Sequence, residues 1–430
     1  MVGFERIAVV GLGYVGFPAA VSFALRGLIV AGIDVDKSKV DSINGGRCPS
    51  EEQAVCEAYF KAWSSGRLKA YSSYDPIREA DAIIFALPTP VKRGVVDLSI
   101  LESAVERTAG LLKRGVLVSI ESTVPPGTTR RLASRIEEIT GFRLGRDFYM
   151  VHVPERIAPG KSLEEMAAIP RIVGGLDEAS TRLGLELYSV VNSSPIPATA
   201  EEAELSKLVE NSYRDLNIAF ANFIALTAER VGVDAWHVIR LANSHPRVNV
   251  HLPGAGVGGP CLTKDPYMLA NVGASIPGSE LLTLARIVND LMPWHMVELT
   301  LKALGDHGIE VSGARVTVLG SAYKGGIGDT RASPSERIVR GLLGYGARVV
   351  VSDPYTSESY GAEYTRDPYD AVRGADAIVV ATDHPEYRSL DWHRVARLAR
   401  TPILVDGRRV VEPEEAESAG LHYYGVGYPR

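Results

Sequence analysis

Arg6-Ile7-Ala8-Val9-Val10-Gly11-Leu12-Gly13-Tyr14-Val15-Gly16 is the stretch on which the fold turns. Its first five residues, rich in β-branched side chains, read as a strand, and the glycines read as a turn. Phe17 to Leu25, small and apolar along one side, reads as the helix that follows. Gly11 suits a tight turn, Gly13 lets the backbone around Tyr14 and Val15 approach a pyrophosphate, and Gly16 permits close helix packing. Such spacing is weak alone, and a glycine-rich turn without a ligand is the bland alternative. Here it follows a strand, opens a helix, and is answered by Asp34 at the end of a second strand, Leu28 to Val35. A carboxylate there can accept a hydrogen bond from a ribose 2′-hydroxyl, so the pattern predicts a dinucleotide unit that takes NAD rather than NADP.

Further apolar runs lie at Ala82 to Ala86, broken by Leu87-Pro88-Thr89-Pro90, at Gly115 to Ile120 and at Phe148 to Val153. Strands alternating with helices predict an α/β fold with a doubly wound parallel sheet that binds ligands beyond the carboxyl ends of its strands. Thr89, in one of those end loops, joins the expected cofactor residues. From Ala200 to about Val231 no proline interrupts, and Leu205, Leu208, Val209, Leu216, Ala219 and Phe220 recur at helical spacing. One helix of roughly 45 Å is expected, long enough to connect two domains and to pair with its copy in a homodimer.

The first pattern then returns. Arg315 to Gly320 mirrors Arg6 to Gly11, Ala347 to Asp353 mirrors Leu28 to Asp34, and residues 374–384 mirror 79–89. The expected organisation is a Rossmann-like dinucleotide domain over 1–198, a helical domain over 199–305 and a second Rossmann-like domain over 306–430. A chain of 430 residues is long enough for several cores. The net charge of −6 and the lack of a basic run argue against a nucleic-acid partner. No charged leader opens the chain and no apolar run nears the roughly 20 residues that cross a bilayer, so a soluble, cytoplasmic protein is expected. Cys48, Cys56 and Cys261 are too few and too scattered for a disulfide framework, which fits a reducing interior. The histidines show no metal-ligand spacing, so no metal is expected.

Chemistry concentrates in a few segments. Pro253 to Asp265, PGAGVGGPCLTKD, combines glycines such as Gly256 and Gly258, open to backbone approach by a ligand, with a thiol beside a Lys-Asp pair. A nearby cation would favour the thiolate, making Cys261 a nucleophile candidate; Cys48 and Cys56 lack such a setting and read as small apolar residues. Lys207 and Asn211 are four apart on the long helix and share a face, where they could hold an oxyanion or simply be solvated. Thr123 in STVPPGT and Glu155 in VPER follow strands of the first domain, on its ligand side. In the second repeat Gly320-Ser321-Ala322-Tyr323-Lys324-Gly325-Gly326 replaces the GxGxxG turn, and Arg331 follows. Lys324 and Arg331 suit recognition of phosphate or carboxylate, or are ordinary loop charges.

Taken together and in order, GLGYVG, STVPPGT, VPERIAPG, the KLVEN helix, RVNVHLPGAGVGGPCLTKD and YKGGIGDTRASP resemble the UDP-sugar 6-dehydrogenase family over nearly the whole chain. The resemblance implies NAD-dependent, four-electron oxidation of a sugar C6 alcohol to a carboxylate. Cys261 would capture the aldehyde as a thiohemiacetal that becomes a thioester. Lys207 and Asn211 would stabilise the oxyanion, Asp265 would assist the water, and Glu155 and Thr123 would help to place it. Arg156, Tyr323, Lys324, Gly256, Gly258 and, across a dimer interface, Arg247 would contact the sugar nucleotide, and Arg331 the cofactor phosphates.

Within the family the PERIAPG and KLVENSYRDLNIAFAN segments are most similar to the branch acting on N-acetylated sugars, above all UDP-N-acetyl-D-mannosamine. UDP-N-acetylglucosamine and UDP-glucose are the alternatives. Pro159 stands where the glucose branch has a second glutamate, leaving room for a bulkier sugar substituent. Pro260, where the N-acetyl branch commonly has histidine, the glucose-like Lys264-Asp265, and Phe223 in place of a glutamate depart from that pattern. A non-catalytic nucleotide-sugar binder and a two-electron hydroxyacid dehydrogenase are the competing classes. The first would not need Cys261, Lys207, Asn211 and Asp265 together, and the second needs neither the thiol nor the repeated half.

Overall fold

A computed structural model describes residues 3–92, 94–158 and 160–429, so Pro159 lies outside the described residues. The strands of the first half are β1 (Arg6–Val10), β2 (Ile29–Ile33), β3 (Leu68–Tyr71), β4 (Ala82–Phe85), the short pair β5 (Val91–Lys92) and β6 (Val95–Val96), β7 (Val116–Ile120), β8 (Phe148–His152), β9 (Ile172–Gly175) and β10 (Ile196–Thr199). Apart from β5 and β6 they form one sheet in the order β10-β9-β8-β7-β4-β1-β2-β3. Its last six positions are the doubly wound order, with β1 and β4 flanking the point where the winding reverses. All neighbours are parallel except β8 and β9, an antiparallel contact that the strand pattern did not predict.

The strands are apolar on both faces because both are covered. Val9, Ile84, Leu117 and Val151 join one core, while Val10, Phe85, Val118 and Met150 join the other. The second sheet contains β11 (Arg315–Leu319), β12 (Arg348–Ser352), β13 (Glu363–Tyr364), β14 (Ala377–Val380), β15 (Ile403–Asp406) and β16 (His422–Gly425). Its order, β13-β12-β11-β14-β15-β16, repeats the winding of the first, with every neighbour parallel. The repetition extends to the turns. Gly11 and Gly320 share a φ of 96°, Leu12 N–H donates to Asp34 at 2.9 Å, and Ser321 N–H donates to Asp353 at 2.8 Å.

The long helix spans Ala200–Val231, and the helices Ala235–Asn243, Asp265–Val272 and Glu280–Asp306 follow it before β11. The chain divides into two compact units, Met1–Glu210 with Tyr267–Gly273, and Asn211–Pro266 with Ala274–Arg430. One expectation is overturned: Cys48 and Cys56 form a disulfide. The connection between the helices Lys37–Asn44 and Gln53–Ser64 doubles back and brings their Cα atoms to 5.4 Å, inside the range a disulfide needs, which an eight-residue spacing alone does not reveal. No helix among the described residues is long and apolar enough to cross a membrane.

Candidate active site

In the first unit the nucleotide turn fits a dinucleotide. A Cβ at Gly11 would strike the Ala86 carbonyl and one at Gly16 the Gly11 carbonyl, whereas one at Gly13 would meet nothing within 4 Å. Two glycines therefore close the turn and the third leaves its outer side open to a ligand. Tyr14 is half exposed and Val15 part-buried at the start of the helix Gly16–Leu25. Asp34, just past β2, accepts from Leu12 N–H at 2.9 Å, Asp36 N–H at 3.0 Å and Lys39 Nζ at 2.7 Å. Burial pushes its carboxyl up, but Lys39 and the two backbone donors outweigh that and hold it below its usual range. An ionised acceptor at this spot suits a ribose hydroxyl, and these residues would hold NAD.

Beyond β4 and β7, Thr89 Oγ1 donates to the Thr123 carbonyl at 2.7 Å, and Ser122 Oγ donates to Leu87 O at 2.8 Å, locking the two end loops together. Glu155, past β8, is buried; its Oε1 accepts from Arg156 N–H at 2.6 Å and Ile157 N–H at 2.8 Å, and its Oε2 from Arg171 Nη2 at 2.6 Å. Arg156 bonds the Pro170 carbonyl and pairs with Glu210 at 2.7 Å, so its charge is met within the unit. Lys207 is part-buried on the long helix. His152 is completely buried, and that burial, with the Lys207 charge adding to it, pushes its imidazole down to about 3; neither ring nitrogen has a hydrogen-bond partner among the described residues.

In the second unit Cys261 is exposed and outside the disulfide. The Lys264 and Asp265 N–H groups donate to its carbonyl at 3.1 and 2.9 Å, so the thiol sits on a tight turn entering the helix Asp265–Val272. Asp265 is fully buried, with Lys264 Nζ 3.0 Å from Oδ1 and Asn211 Nδ2 donating to Oδ2 at 2.5 Å. Asn211, one turn beyond Lys207, thus comes together with Cys261, Lys264 and Asp265. The glycines of this loop are packed: a Cβ at Gly258 would strike Tyr323 and Pro334, and one at Gly256 would crowd Pro293 and Pro334. Arg408 Nη2 donates to Gly256 O at 3.1 Å and its Nε to Ala381 O at 3.0 Å, tying the loop to the end of β14.

Lys324 is exposed on the turn after β11, and Arg331 forks onto Asp329 at 2.9 and 2.6 Å. Arg247 is exposed, its N–H donating to His245 Nδ1 at 3.3 Å. Sequence patterns missed two buried clusters. One joins Glu121, Arg171 and Tyr188 to Glu155. The other holds the Lys324 turn: Asp383 accepts from Gly325 N–H at 3.2 Å, and His384 Nδ1 from Gly326 N–H at 3.1 Å. That leaves His384 Nε2–H to donate to Asp353 at 2.9 Å. Glu121 and Asp353 directly follow β7 and β12 and Arg171 directly precedes β9, which was the available signal; Tyr188, at the end of a helix, and Asp383 and His384, in the loop after β14, carried none.

Two doubly wound sheets, one with an open dinucleotide turn and the other with a cation-bearing version of it, define an α/β oxidoreductase that uses one nucleotide as cofactor and another as substrate handle. The chain belongs to the UDP-glucose/GDP-mannose dehydrogenase family. Its NAD binding domain matches residues 5–192, its central domain 201–290 and its UDP binding domain 317–413. The protein is an NAD-dependent UDP-sugar dehydrogenase. It is 40% identical to the UDP-N-acetyl-D-mannosamine dehydrogenase of Pyrococcus horikoshii, over 98% of this chain and 99% of the relative. The solved UDP-D-ManNAc dehydrogenase of that organism superposes with a TM-score of 0.92 at 39% identity, covering 98% and 99% of the two chains. A UDP-glucose dehydrogenase from Pyrobaculum islandicum gives 0.88 at 33% identity, with 99% and 98% covered.

Proposed function

We propose that this protein oxidises the C6 alcohol of UDP-N-acetyl-D-mannosamine to the carboxylate, two NAD per sugar, with Cys261 as the covalent nucleophile. Bound NAD would accept the hydride in each of the two oxidations. The Cys261 thiolate adds to the C6 aldehyde to give a thiohemiacetal, whose oxidation leaves a thioester. Water, placed by Glu155 and Thr123 and assisted by Asp265, adds to the acyl carbon, and the C–S bond breaks to release the carboxylate and the thiolate. Lys207 and Asn211 offset charge on the C6 oxygen. Covalent capture ties the two oxidations together, because a free aldehyde hydrate could diffuse away between them. Lys324, Tyr323, Arg156 and the Gly256–Gly258 segment serve the sugar nucleotide, and Arg331 the cofactor phosphates.

The carrying observation is the exposed Cys261 on a turn with Lys264, Asp265 and Asn211 around it. A non-catalytic binder has no use for that grouping. Full-length relatives named UDP-N-acetyl-D-mannosamine dehydrogenase, at 35 to 40% identity, support the sugar; UDP-N-acetylglucosamine and UDP-glucose are the alternatives. We further propose a homodimer through the long helix, with Arg247 serving the partner's substrate, working in the cytoplasm where NAD is supplied. The test is NADH formed per UDP-sugar across these sugars. Two equivalents with the N-acetylmannosamine sugar, lost in Cys261→Ser, is the expected result. One equivalent in wild type, unchanged by the substitution, overturns it.

A further inference from the structure

Three buried side chains beneath Glu155 have no part in the chemistry above. Glu121 follows β7 and is completely buried; Arg171 precedes β9; Tyr188 ends the helix Glu178–Tyr188. Arg171 Nη2 donates to Glu155 Oε2 at 2.6 Å and to Glu121 Oε1 at 3.1 Å. Tyr188 OH donates to the same Glu121 oxygen at 2.8 Å, which leaves Ser119 Oγ, 2.7 Å away, to donate to Tyr188. Glu121 Oε2 and Arg171 Nε have no hydrogen-bond partner among the described residues. These are the groups that face Glu121: Arg171 ahead of β9, Glu155 after β8, and Tyr188 with Ser119. The neighbouring strand β8 ends in the uncharged His152.

Two carboxylates on one guanidinium, closed from water, leave one negative charge without a counter-ion. Such a cluster takes up and releases a proton as a unit. Burial pushes the Glu121 carboxyl up to about 7, with Arg171 opposing and Glu155 adding to the rise.

We infer that Glu121 is a positioning residue for Glu155: the two carboxylates share Arg171 and one exchangeable proton, and the loss of that proton switches on the water that opens the thioester. The inference rests on the assignment of Glu155 to that water. In the step, the water oxygen bonds the acyl carbon, one of its protons passes to the Glu155 carboxylate, the C–S bond breaks with sulfur leaving as thiolate, and the carboxylic acid so formed gives its remaining proton to solvent as it ionises to the carboxylate. With the cluster protonated, Arg171 is free to neutralise Glu155; with both carboxylates ionised, neither is fully neutralised and Glu155 can accept the proton.

The experiment follows decay of the acyl-enzyme across the neutral pH range in the full-length protein. Glu121→Gln holds the cluster in its neutralised state, with Arg171 paired to Glu155 alone, and is expected to flatten the acid limb and keep decay at the slow low-pH rate, roughly tenfold or more below wild type at the alkaline end, with the KM for the UDP-sugar unchanged. Tyr188→Phe removes a hydrogen bond that favours ionised Glu121 and is expected to move the limb up, which covers the case in which Glu121→Gln does not fold. A limb unmoved in both variants overturns the inference. Glu155→Gln separates the two claims. If it decays at the wild-type rate, the assignment of Glu155 fails; if it is slow while the other two profiles overlay wild type, only the inference fails.

Discussion

At the residue scale the nucleotide turn separates two jobs that one motif combines. A methyl at Gly16 would enter the Gly11 carbonyl, so Gly16→Ala forces the helix away from the turn and is expected to cost about 1–3 kcal/mol, read from chemical denaturation. A methyl at Gly13 meets nothing, so Gly13→Ala should keep its melting temperature and lose NAD affinity, read by titration. Equal stability losses in both would show that Gly13 is structural. Asp34→Asn removes an ionised acceptor, and a charged hydrogen bond of about 1.5–3 kcal/mol corresponds to a rise in KM for NAD of roughly tenfold or more. A wild type that prefers NADP would contradict the role of Asp34. These residues were legible because each acts on its own turn or its neighbouring strand. Glu121 and Arg171 were not: their meaning depends on Glu155 and Tyr188, and only the sheet order β9-β8-β7 brings residues 121, 155, 171 and 188 together.

At the element scale the strands near the nucleotide turn were legible because runs buried on both faces are continuous in β-branched residues. The long helix was legible from its uninterrupted periodicity, and its observed bounds are Ala200–Val231. The short outer strands β3, β9 and β10 carried too few residues to stand out. Elements also lean on each other in ways spacing hides. Glu204 of the long helix is buried and accepts from Gly127 N–H, Thr129 N–H and Thr129 Oγ1 at 2.6 to 2.7 Å, capping the helix Thr128–Thr140 from outside it. The Cys48–Cys56 bridge closes a loop of eight residues and so limits the unfolded chain modestly. Cys48→Ser is expected to lower stability by about 2 kcal/mol, measured as the drop in denaturation midpoint. A wild type whose midpoint does not respond to reductant would show that the bridge carries no stability.

At the scale of the whole molecule, two features bear on solution behaviour. Tyr213, Phe220 and Phe223 on the long helix, and Leu284, Ile287 and Leu291 on the helix Glu280–Asp306, are each about half exposed and are the apolar side chains the proposed homodimer would cover. Phe220→Glu is expected to shift sedimentation from dimer to monomer; a wild type that sediments as a monomer removes the homodimer. The second feature is the balance of two buried groups against pH. His152 stays uncharged when folded, its pKa falling from 6.5 to about 3, so the unfolded chain binds its proton first. The stability it contributes is complete above 6.5 and is lost as pH falls toward 3. Glu121 works the other way: its pKa rises from 4.5 to about 7, so the folded chain binds the proton first, and the stability it contributes is complete below 4.5 and lost as pH rises through 7. Between 4.5 and 6.5 the two slopes oppose, each about 1.4 kcal/mol per pH unit, and largely cancel. Removing either group exposes the other. Relative to wild type, His152→Phe should gain stability steadily as pH falls from 6.5 to 4.5, and Glu121→Gln should gain it as pH rises across the same window. Urea denaturation at several pH values measures both differences, and parallel wild-type and variant curves would mean that neither group is buried as described.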